Sequence, residues 1–406
     1  MKGSNSKQNK SVNLRLVLSQ IVTQGPVSRA DIARATYLTK QTITNLVDEL
    51  LQQQLVVETG VKKEGVGKPS TQLILNDDAA YSLAVRVKSN KVELALCYLT
   101  GDLVAQCSAA FQAGQLLPVI EQQLQQLLAT QQLNARHLLG AGLTIEATLN
   151  QSITERQQQM LLLQQQLVAL LKMPVATEQT AAACAAYHLL HGEARALQSF
   201  CYIHLGQQVD AAVVYERRIL LGHNGLTGAL GEIFVTPEQD KYSGEFGRLN
   251  DFVSVSSLQQ FAQKKLQTQL NTEGNQWSEA ELLADKLELW FEQSAEPMRI
   301  AIHTLESIFN CQTIILGGEV SAWFLDKLIS RLRPLIPSVA QHGSRTVPRL
   351  IKTPEVEKVA LQGLATLPLH AAIRLDAQHA LMLPPVNQLS ALQQLVFSEV
   401  TPAGTE

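Results

Sequence analysis

The feature that most constrains this 406-residue chain is the regular pattern of its first 75 residues. Apolar side chains recur with the 3.6-residue period of an amphipathic helix at Leu14, Val17, Leu18 and Ile21. Gly25-Pro26 ends this predicted helix, and Ser28 begins a second one, with Asp31 three residues on to complete the pattern of a capping box. The sequence therefore predicts two successive helices separated by a tight break.

A third predicted helix begins after Thr39, a favourable N-cap residue. Its buried face is expected to carry Ile43, Leu46, Val47 and Leu50. Its outward face offers side chains that can hydrogen-bond to base edges and phosphates, namely Gln41, Thr44, Asn45 and Asp48, flanked by Lys40 and Thr42. Two predicted strands follow, Leu55–Thr59 and Thr71–Leu75, and the segment that joins them is basic and rich in glycine.

This order of helices, strands and basic wing is typical of a winged helix-turn-helix that binds duplex DNA. A three-helix unit used for dimerisation or protein docking is the alternative. The expected DNA contacts are Arg29, Thr39, Lys40, Gln41, Thr42, Thr44, Asn45, Lys62, Lys63 and Lys68. Charge favours DNA, because residues 1–75 hold ten of the 33 basic and five of the 36 acidic residues, which leaves 23 basic and 31 acidic residues for the rest.

Composition indicates a globular chain of two or three domains in a reducing, cytoplasmic setting. Hydrophobic residues make up 46% of the chain, but no apolar run approaches the roughly 18 residues of a membrane span, so we expect no membrane insertion. The N-terminus lacks the apolar segment of a signal peptide. The five scattered cysteines form no C-x-x-C motif, which argues against a disulfide framework.

Beyond residue 78, predicted strands alternate with predicted helices, which is typical of an α/β protein with a parallel or mixed sheet. The predicted strands are Tyr81–Lys88, Lys91–Tyr98, Leu103–Phe111, Leu138–Ile145, Pro174–Ala176, Cys201–His204, Ala211–Tyr215, Ile219–Leu221 and Thr313–Leu316. The predicted helical segments are Leu117–Gln132, Ile153–Leu171, Thr180–Leu190 and Ser278–Phe309. We expect a DNA-binding domain at 1–78, a body at 79–385 and a C-terminal helix with a tail at 386–406.

The chain resembles the ROK family of sugar kinases and repressors, and in particular its Mlc/NagC-type transcriptional repressors. The resemblance rests on Gly25–Asp31, Gly67–Pro69, Met173–Val175, Ile219–Leu221, Lys241–Asn250, Ile308–Asn310 and Ile314–Gly318. It implies that the winged helix precedes an actin-like, sugar-kinase-type core whose two lobes close over a cleft.

Two departures from the family pattern bear on catalysis. ROK kinases hold phosphate with a D-x-G-G-T turn, whose glycines let backbone N–H groups approach the anion. The corresponding turn here is Arg86-Val-Lys-Ser-Asn-Lys91, with no glycine and no acid. The kinases' general base is an aspartate, and Thr180 stands at its position. The resemblance therefore implies a chain without catalytic residues.

The family's sugar and zinc positions are altered as well. The family's E-x-G-H motif reads Ala229-Leu-Gly-Glu232 here, so the sugar-binding glutamate and the zinc-binding histidine are both replaced. In the C-x-C-G-x-x-G-C-x-E motif, Lys241, Ser243 and Arg248 replace the thiolates, and Asn250 replaces the glutamate. Because structural zinc needs four Cys or His ligands, we expect neither a metal nor a cofactor.

What remains is a vestigial ligand cleft, expected at Glu178, Thr180, Ala229, Glu232 and Asn250. Its loop is either held by a salt-bridge cluster of Glu232 with Lys241 and Arg248, or left freer than in the family. Glu146 follows an apolar strand and is expected to be an exposed loop acid, although it could face the cleft. The histidines that could suggest a metal site are expected to lie on separate elements; these are His188, His191, His204 and His223.

The C-terminus predicts one more amphipathic helix, over Val386–Val400, after the break at Pro384-Pro385. Its apolar residues are Leu389, Leu392, Leu395, Val396 and Val400. Two roles are open for this helix: it links the DNA-binding head to the body and supports assembly, or it packs on its own core.

Together these features predict a cytoplasmic DNA-binding transcriptional regulator, a repressor of carbohydrate-related genes. Its non-catalytic body would serve allostery and assembly into a homodimer, or a tetramer, on double-stranded operator DNA. A small sugar or a protein partner could be the effector, and the altered pocket favours a protein partner, an unusual ligand or no ligand. The alternatives are a sugar-kinase-type enzyme with an accessory domain, and a regulator switched by a protein partner alone.

Overall fold

The computed structural model describes residues 6–62, 70–146, 153–223, 225, 227–235, 247–272, 277–342, 345–374 and 380–397. Its helices are α1 (Ser6–Gln24), α2 (Arg29–Thr36), α3 (Lys40–Gln52), α4 (Leu116–Thr130), α5 (Ile153–Leu171), α6 (Thr180–Leu190), α7 (Leu249–Val253), α8 (Val255–Phe261), α9 (Ser278–Leu282), α10 (Ala284–Phe309), α11 (Ala322–Arg331), α12 (Val359–Ile373) and α13 (Ala391–Phe397).

Its strands are β1 (Val27–Ser28), β2 (Val56–Lys62), β3 (Ser70–Leu75), β4 (Tyr81–Val87), β5 (Lys91–Tyr98), β6 (Leu103–Ala110), β7 (Leu138–Ile145), β8 (Val175–Thr177), β9 (Phe200–Leu205), β10 (Val209–Tyr215), β11 (Arg218–Ile219), β12 (Phe234–Val235), β13 (Gly247–Arg248), β14 (Ile314–Gly318), β15 (Leu350–Lys352) and β16 (Leu381–Met382). Each strand predicted for the body is present, with shifts of one to a few residues at its ends.

The head, residues 6–62 and 70–78, is a helix-turn-helix followed by a pair of antiparallel strands, as the sequence predicts, and most of the predicted basic wing between these strands lies outside the described residues. The apolar residues predicted for α1 and α3 are all buried, which gives the three helices a common core. The antiparallel sheet has the order β1-β3-β2. Strand β1 was not predicted, because two residues are too few to show a period; its Val27 pairs with Leu73 of β3.

The chain divides into two compact units, and each contains the same sheet topology. The first unit comprises residues 1–179, 186–196 and 361–406, and the second comprises residues 180–185 and 197–360. The first has the strand order β6-β5-β4-β7-β8, with β16 added at the edge, and the second has β11-β10-β9-β14-β15. In both, three antiparallel strands are followed by two parallel ones. This repeat confirms the predicted mixed α/β class.

In the first unit, helix α12 packs closely against the central sheet. A Cβ atom at Gly142 of β7 would lie 1.8 Å from the carbonyl oxygen of Leu364, so only glycine allows this approach. The sequence did not predict α12, because its residues are apolar on almost every side and therefore show no amphipathic period.

The second unit is built around α10 and an aromatic cluster. Phe324 of α11 packs against Trp277, Trp290 and Phe291, with ring centroids 5.1–5.6 Å apart. The predicted helical segment over Ser278–Phe309 is broken at Leu283, which separates α9 from α10. None of the described helices is long and apolar enough to cross a bilayer.

The prediction of a single C-terminal helix is wrong over the described residues. Val386–Gln388 form a 3-10 turn and Leu389 is extended, so the α-helix begins only at Ala391. The Ser390 side chain caps this start by accepting from the Gln393 backbone N–H at 3.2 Å. Gln393 also donates to the Leu138 carbonyl of β7 at 2.9 Å, so α13 packs on the sheet of its own unit. This contact favours the second of the two roles predicted for the helix.

Candidate nucleic-acid interface and altered ligand positions

Side-chain caps fix where the two helices of the helix-turn-helix begin. Ser28 accepts from the Asp31 backbone N–H at 3.2 Å, while Asp31 accepts from the Ser28 N–H at 3.3 Å, which completes the predicted capping box. The hydrogen bond from the Ser28 hydroxyl is the largest of the effects that lower the pKa of Asp31. Thr39 accepts from the Thr42 N–H at 3.2 Å, as predicted for the N-cap of α3. The turn and the start of α3 are therefore well defined.

The outward face of α3 presents a row of polar groups at its N-terminal end. Lys40, Gln41 and Asn45 are exposed, and Thr44 is half-buried. Gln41 Nε2 donates to Asn45 Oδ1 at 3.0 Å, which aligns the two amides along one side of the helix. This bond does not use the side-chain oxygen Oε1 of Gln41 or the side-chain amide hydrogens of Asn45, so these groups can contact a ligand. An amide can bond to an adenine edge with both of its polar groups.

Arg29 occupies a different place from the other predicted contacts. Its guanidinium bridges Glu58 of β2 at 2.7 Å and Asp48 of α3 at 3.4 Å. Two carboxylates of the same domain thus neutralise the charge that the sequence assigned to a DNA contact. The side chains of Lys62, Lys63 and Lys68 lie outside the described residues.

The head is joined to the body through Arg195, which sequence reasoning missed. Its Nη2 lies 3.2–3.3 Å from the backbone carbonyl oxygens of Val22, Thr23 and Gly25, where α1 ends. The last carbonyls of a helix have no partner within it and carry the negative end of the helix dipole, so a guanidinium suits this place. Arg195 and the end of α1 are far apart in sequence, so no local sequence pattern predicts this contact.

An ion-pair cluster fills the turn where the family binds phosphate. Arg86 is only 5% exposed, and its guanidinium pairs with Glu146 and, at 3.2 Å, with Glu93. Lys88 and Lys91 place their Nζ atoms 3.3 and 3.5 Å from the same Glu93 carboxylate. Burial raises the pKa of Glu93, but the positive charges around it outweigh burial and lower that pKa overall. The carboxylates of Glu93 and Glu146 thus neutralise the basic side chains at this turn.

The prediction that Glu146 is an exposed loop acid is therefore wrong. Its side chain is 19% exposed because Arg86 draws it in. Glu93 was missed as well, although the predicted strands Tyr81–Lys88 and Lys91–Tyr98, which leave only Ser89-Asn90 between them, contain the signal. A two-residue turn at these positions pairs Arg86 with Glu93 directly across the two strands, as the structure has it.

Of the predicted cleft residues, the structure joins Glu232 to Asn250. Asn250 donates to Glu232 at 3.1 Å and accepts from the Val209 backbone N–H at 2.7 Å. Arg248 pairs with Glu232 at 2.9 Å, so an ion pair stands where the family has a zinc ligand set, as one of the two predicted alternatives has it. Lys241 and Ser243 lie outside the described residues.

The other cleft residues are placed by the backbone. Glu178 follows β8 and donates its backbone N–H to Leu143 of β7 at 3.3 Å. Thr180 is the first residue of α6, and Ala229 precedes the 3-10 turn Leu230–Glu232. A threonine at the start of α6 has no group that can take a proton from a sugar hydroxyl near neutral pH.

Two histidines at the end of α6 are neighbours, contrary to the prediction that they are separate. The ring of Tyr187 is near both of them, with its centroid 5.6 Å from that of His188 and 5.8 Å from that of His191. Burial lowers the pKa of His188 to about 3, and burial together with the charge of Arg195 lowers that of His191 to about 3. A third histidine, His204, lies elsewhere and places its Nε2 3.6 Å from Glu319 Oε1. Within the described part of the chain, His, Cys, Asp and Glu side chains form no group of three that suits a metal.

The fold thus defines a class of protein: a winged helix-turn-helix joined to a duplicated α/β body. The model of the ROK family matches residues 82–371, and the model of the MarR family matches residues 15–64. This chain belongs to the ROK family.

Curated relatives and solved structures agree with this assignment. The chain is 25% identical over 362 residues to the DNA-binding transcriptional repressor Mlc of Escherichia coli, covering 83% of this chain and 89% of the relative. It is 22% identical over 350 residues to a xylose repressor of Caldicellulosiruptor bescii, covering 80% and 88%.

The solved structures share the fold. A ROK family transcriptional regulator described as a homologue of Escherichia coli MLC covers 91% of this chain and 98% of its own, with a TM-score of 0.67 and 19% identity. A ROK hexokinase from Thermus thermophilus covers 70% of this chain and 97% of its own, with a TM-score of 0.52 and 18% identity. The body therefore has the two-lobed fold of the sugar kinases, as the resemblance implied.

Proposed function

We propose that this chain is a cytoplasmic transcriptional repressor of carbohydrate-related genes and that its ROK body is not an enzyme. The observation that carries the proposal is the capped helix α3, whose exposed N-terminal face holds Lys40, Gln41 and Asn45 on a basic head. Relatives that cover most of the chain are named as repressors, which supports the same reading.

We infer that the repressor binds a palindromic, A·T-rich operator as a homodimer. One recognition helix reads only a few base pairs, so specificity needs two half-sites about one or more helical turns apart. The wing lysines, Lys62, Lys63 and Lys68, approach the minor groove and its phosphates. Selection of bound duplexes from a random library by the full chain tests this arrangement. Enriched duplexes with two symmetric half-sites support it, and enrichment of none argues against the function as a whole.

We infer that the body responds to an effector rather than to a substrate. The altered residues of the cleft, Thr180, Ala229 and Asn250, favour a protein partner or an unusual small ligand over a hexose. A thermal-shift screen against sugars and sugar phosphates separates these cases, because a ligand that binds only the folded state raises the unfolding temperature.

We predict that Gln41→Ala relaxes base preference at one position of each half-site. Loss of a two-bond contact to a base costs about 1–3 kcal/mol of discrimination. The measurement is the dissociation constant for the selected duplex and for its single-base variants. Gln52→Ala, at the exposed C-terminal end of the same helix, is the control and should leave the preference unchanged. An unaltered preference in Gln41→Ala would show that α3 does not read bases through this residue.

Lys68→Ala should behave differently from Gln41→Ala. Because this lysine is assigned to a phosphate, its removal weakens binding to all duplexes alike. It also reduces the magnitude of the negative slope of log affinity against log salt by about one. A loss of affinity that depends on the duplex sequence would contradict the assignment of Lys68 to a phosphate contact.

We predict no transfer of phosphate from ATP to any hexose. Arg86 and its carboxylate partners occupy the phosphate turn, and Thr180 replaces the general base. The assay is hexose-dependent ADP release, with a ROK hexokinase as the positive control. Turnover stimulated by a hexose would revive the enzyme alternative.

A further inference from the structure

Tyr37 joins the two helices of the helix-turn-helix in an unusual conformation. Its backbone has φ 57° and ψ 20°, in the left-handed region, where it ends α2. Side chains with a Cβ atom are strained there, and bulky ones are uncommon. Glycine would make the same turn at lower cost.

The head gains no packing from this side chain. Tyr37 is 95% exposed, so its ring buries almost no surface against the rest of the chain. Two other residues of the turn have structural roles: Thr36 donates to the Ile32 carbonyl at 2.7 Å, and Thr39 caps α3. A strained position that holds a large exposed aromatic side chain points to a contact made outside the chain.

Basic residues flank this tyrosine in sequence, and one of them, Arg34, shares its charge with Asp31. Arg34 lies three residues before it with a side chain that is 78% exposed, and Lys40 lies three residues after it and is also exposed. Asp31 pairs with Arg34, and it is the acidic group nearest in sequence. In a docked helix-turn-helix, the N-terminal end of the second helix enters the major groove while the first helix crosses the phosphate backbone. The turn between them therefore faces the backbone that flanks the half-site.

We propose that Tyr37 binds the sugar–phosphate backbone of the operator, with its hydroxyl donating to a phosphate oxygen and its ring lying on the neighbouring sugar. The inference rests on the proposed DNA-binding function and adds a contact to it. Tyrosine hydroxyls are among the groups that bind phosphate oxygens, and such contacts set orientation and register without reading sequence.

The test compares Tyr37→Phe with the wild-type chain on the selected duplex and on a scrambled duplex. Loss of one hydrogen bond should weaken binding by about threefold to tenfold, and by the same factor on both duplexes. The salt slope should stay unchanged, since the hydroxyl carries no charge, whereas Lys68→Ala lowers it. Tyr215→Phe, which removes the hydroxyl of another exposed tyrosine in the second unit, is the matched control and should bind as the wild type does.

A second variant separates DNA contact from a role in folding. Tyr37→Gly should bind more weakly than Tyr37→Phe because it loses the ring as well, yet its unfolding temperature should not fall below that of the wild type. Equal binding by Tyr37→Phe and wild type overturns the contact, and so does a Tyr37→Gly chain that unfolds at a lower temperature. If the wild-type chain itself binds no duplex, the proposed function and this contact both fail.

Discussion

Arg86→Ala should lower the free energy of unfolding by about 3–5 kcal/mol, the usual effect of removing one partner from a buried ion pair. The variant leaves Glu93 and Glu146 largely enclosed without the guanidinium that both of them contact. Denaturant unfolding at neutral pH measures the loss. Arg218→Ala removes an exposed arginine and should change stability by less than about 0.5 kcal/mol.

The same variant should also change how stability depends on acid. Because the pKa of Glu93 is lowered in the folded chain, its contribution is complete above the unfolded value of about 4.3 and is lost as pH falls through the folded value. Arg86→Ala removes much of that lowering, so the variant loses less stability between about pH 5 and pH 3 than the wild type does. Equal stability of variant and wild type at neutral pH would show that the cluster does not hold the turn.

Acidification from about pH 7.5 to about pH 5.5 should cost the wild-type chain about 3 kcal/mol of stability. His188 and His191 have pKa values of about 3 when folded and about 6.5 when unfolded, so the unfolded chain binds protons first. A group whose folded pKa is lowered contributes stability above the unfolded value and loses it as pH falls. Each histidine then accounts for about 1.4 kcal/mol over this range.

Variants assign this loss to particular side chains. His191→Gln should remove about half of the pH dependence in this window, where carboxylates hardly titrate. His223→Gln, which changes an exposed histidine, should leave it unchanged. A wild-type chain with constant stability over this range would contradict the neutral state of the two rings. Protonated His191 would repel the nearby Arg195, so we expect acid to weaken the contacts of Arg195 with the end of α1.

The head could be predicted in detail because its signals are local. Caps at Ser28 and Thr39 and the apolar period of α3 act over three or four residues, and the structure has each of them. The strands of the body were equally clear where apolar runs end at turn residues. The positions at which this chain departs from the ROK pattern were also readable one by one, from Arg86 to Asn250.

Other features depend on contacts that sequence spacing does not show. Helix α12 is buried on nearly all sides, so no period marks it, and only the contact of Leu364 with Gly142 explains its place. Arg195 contacts the end of α1 although it lies 172 residues after Thr23 in the chain. The burial of Glu146 could not be predicted because its partner, Arg86, lies on a neighbouring strand and is distant in sequence.

The central claim is that this chain is a sequence-specific DNA-binding repressor, and a salt titration of the full chain with DNA tests it most directly. We expect the selected duplex to be bound at least about a thousandfold more tightly than a scrambled duplex of the same length. We also expect log affinity to fall linearly as log salt rises, because protein that binds phosphates releases their counterions. Equal affinity for the two duplexes, or binding that does not respond to salt, would contradict it.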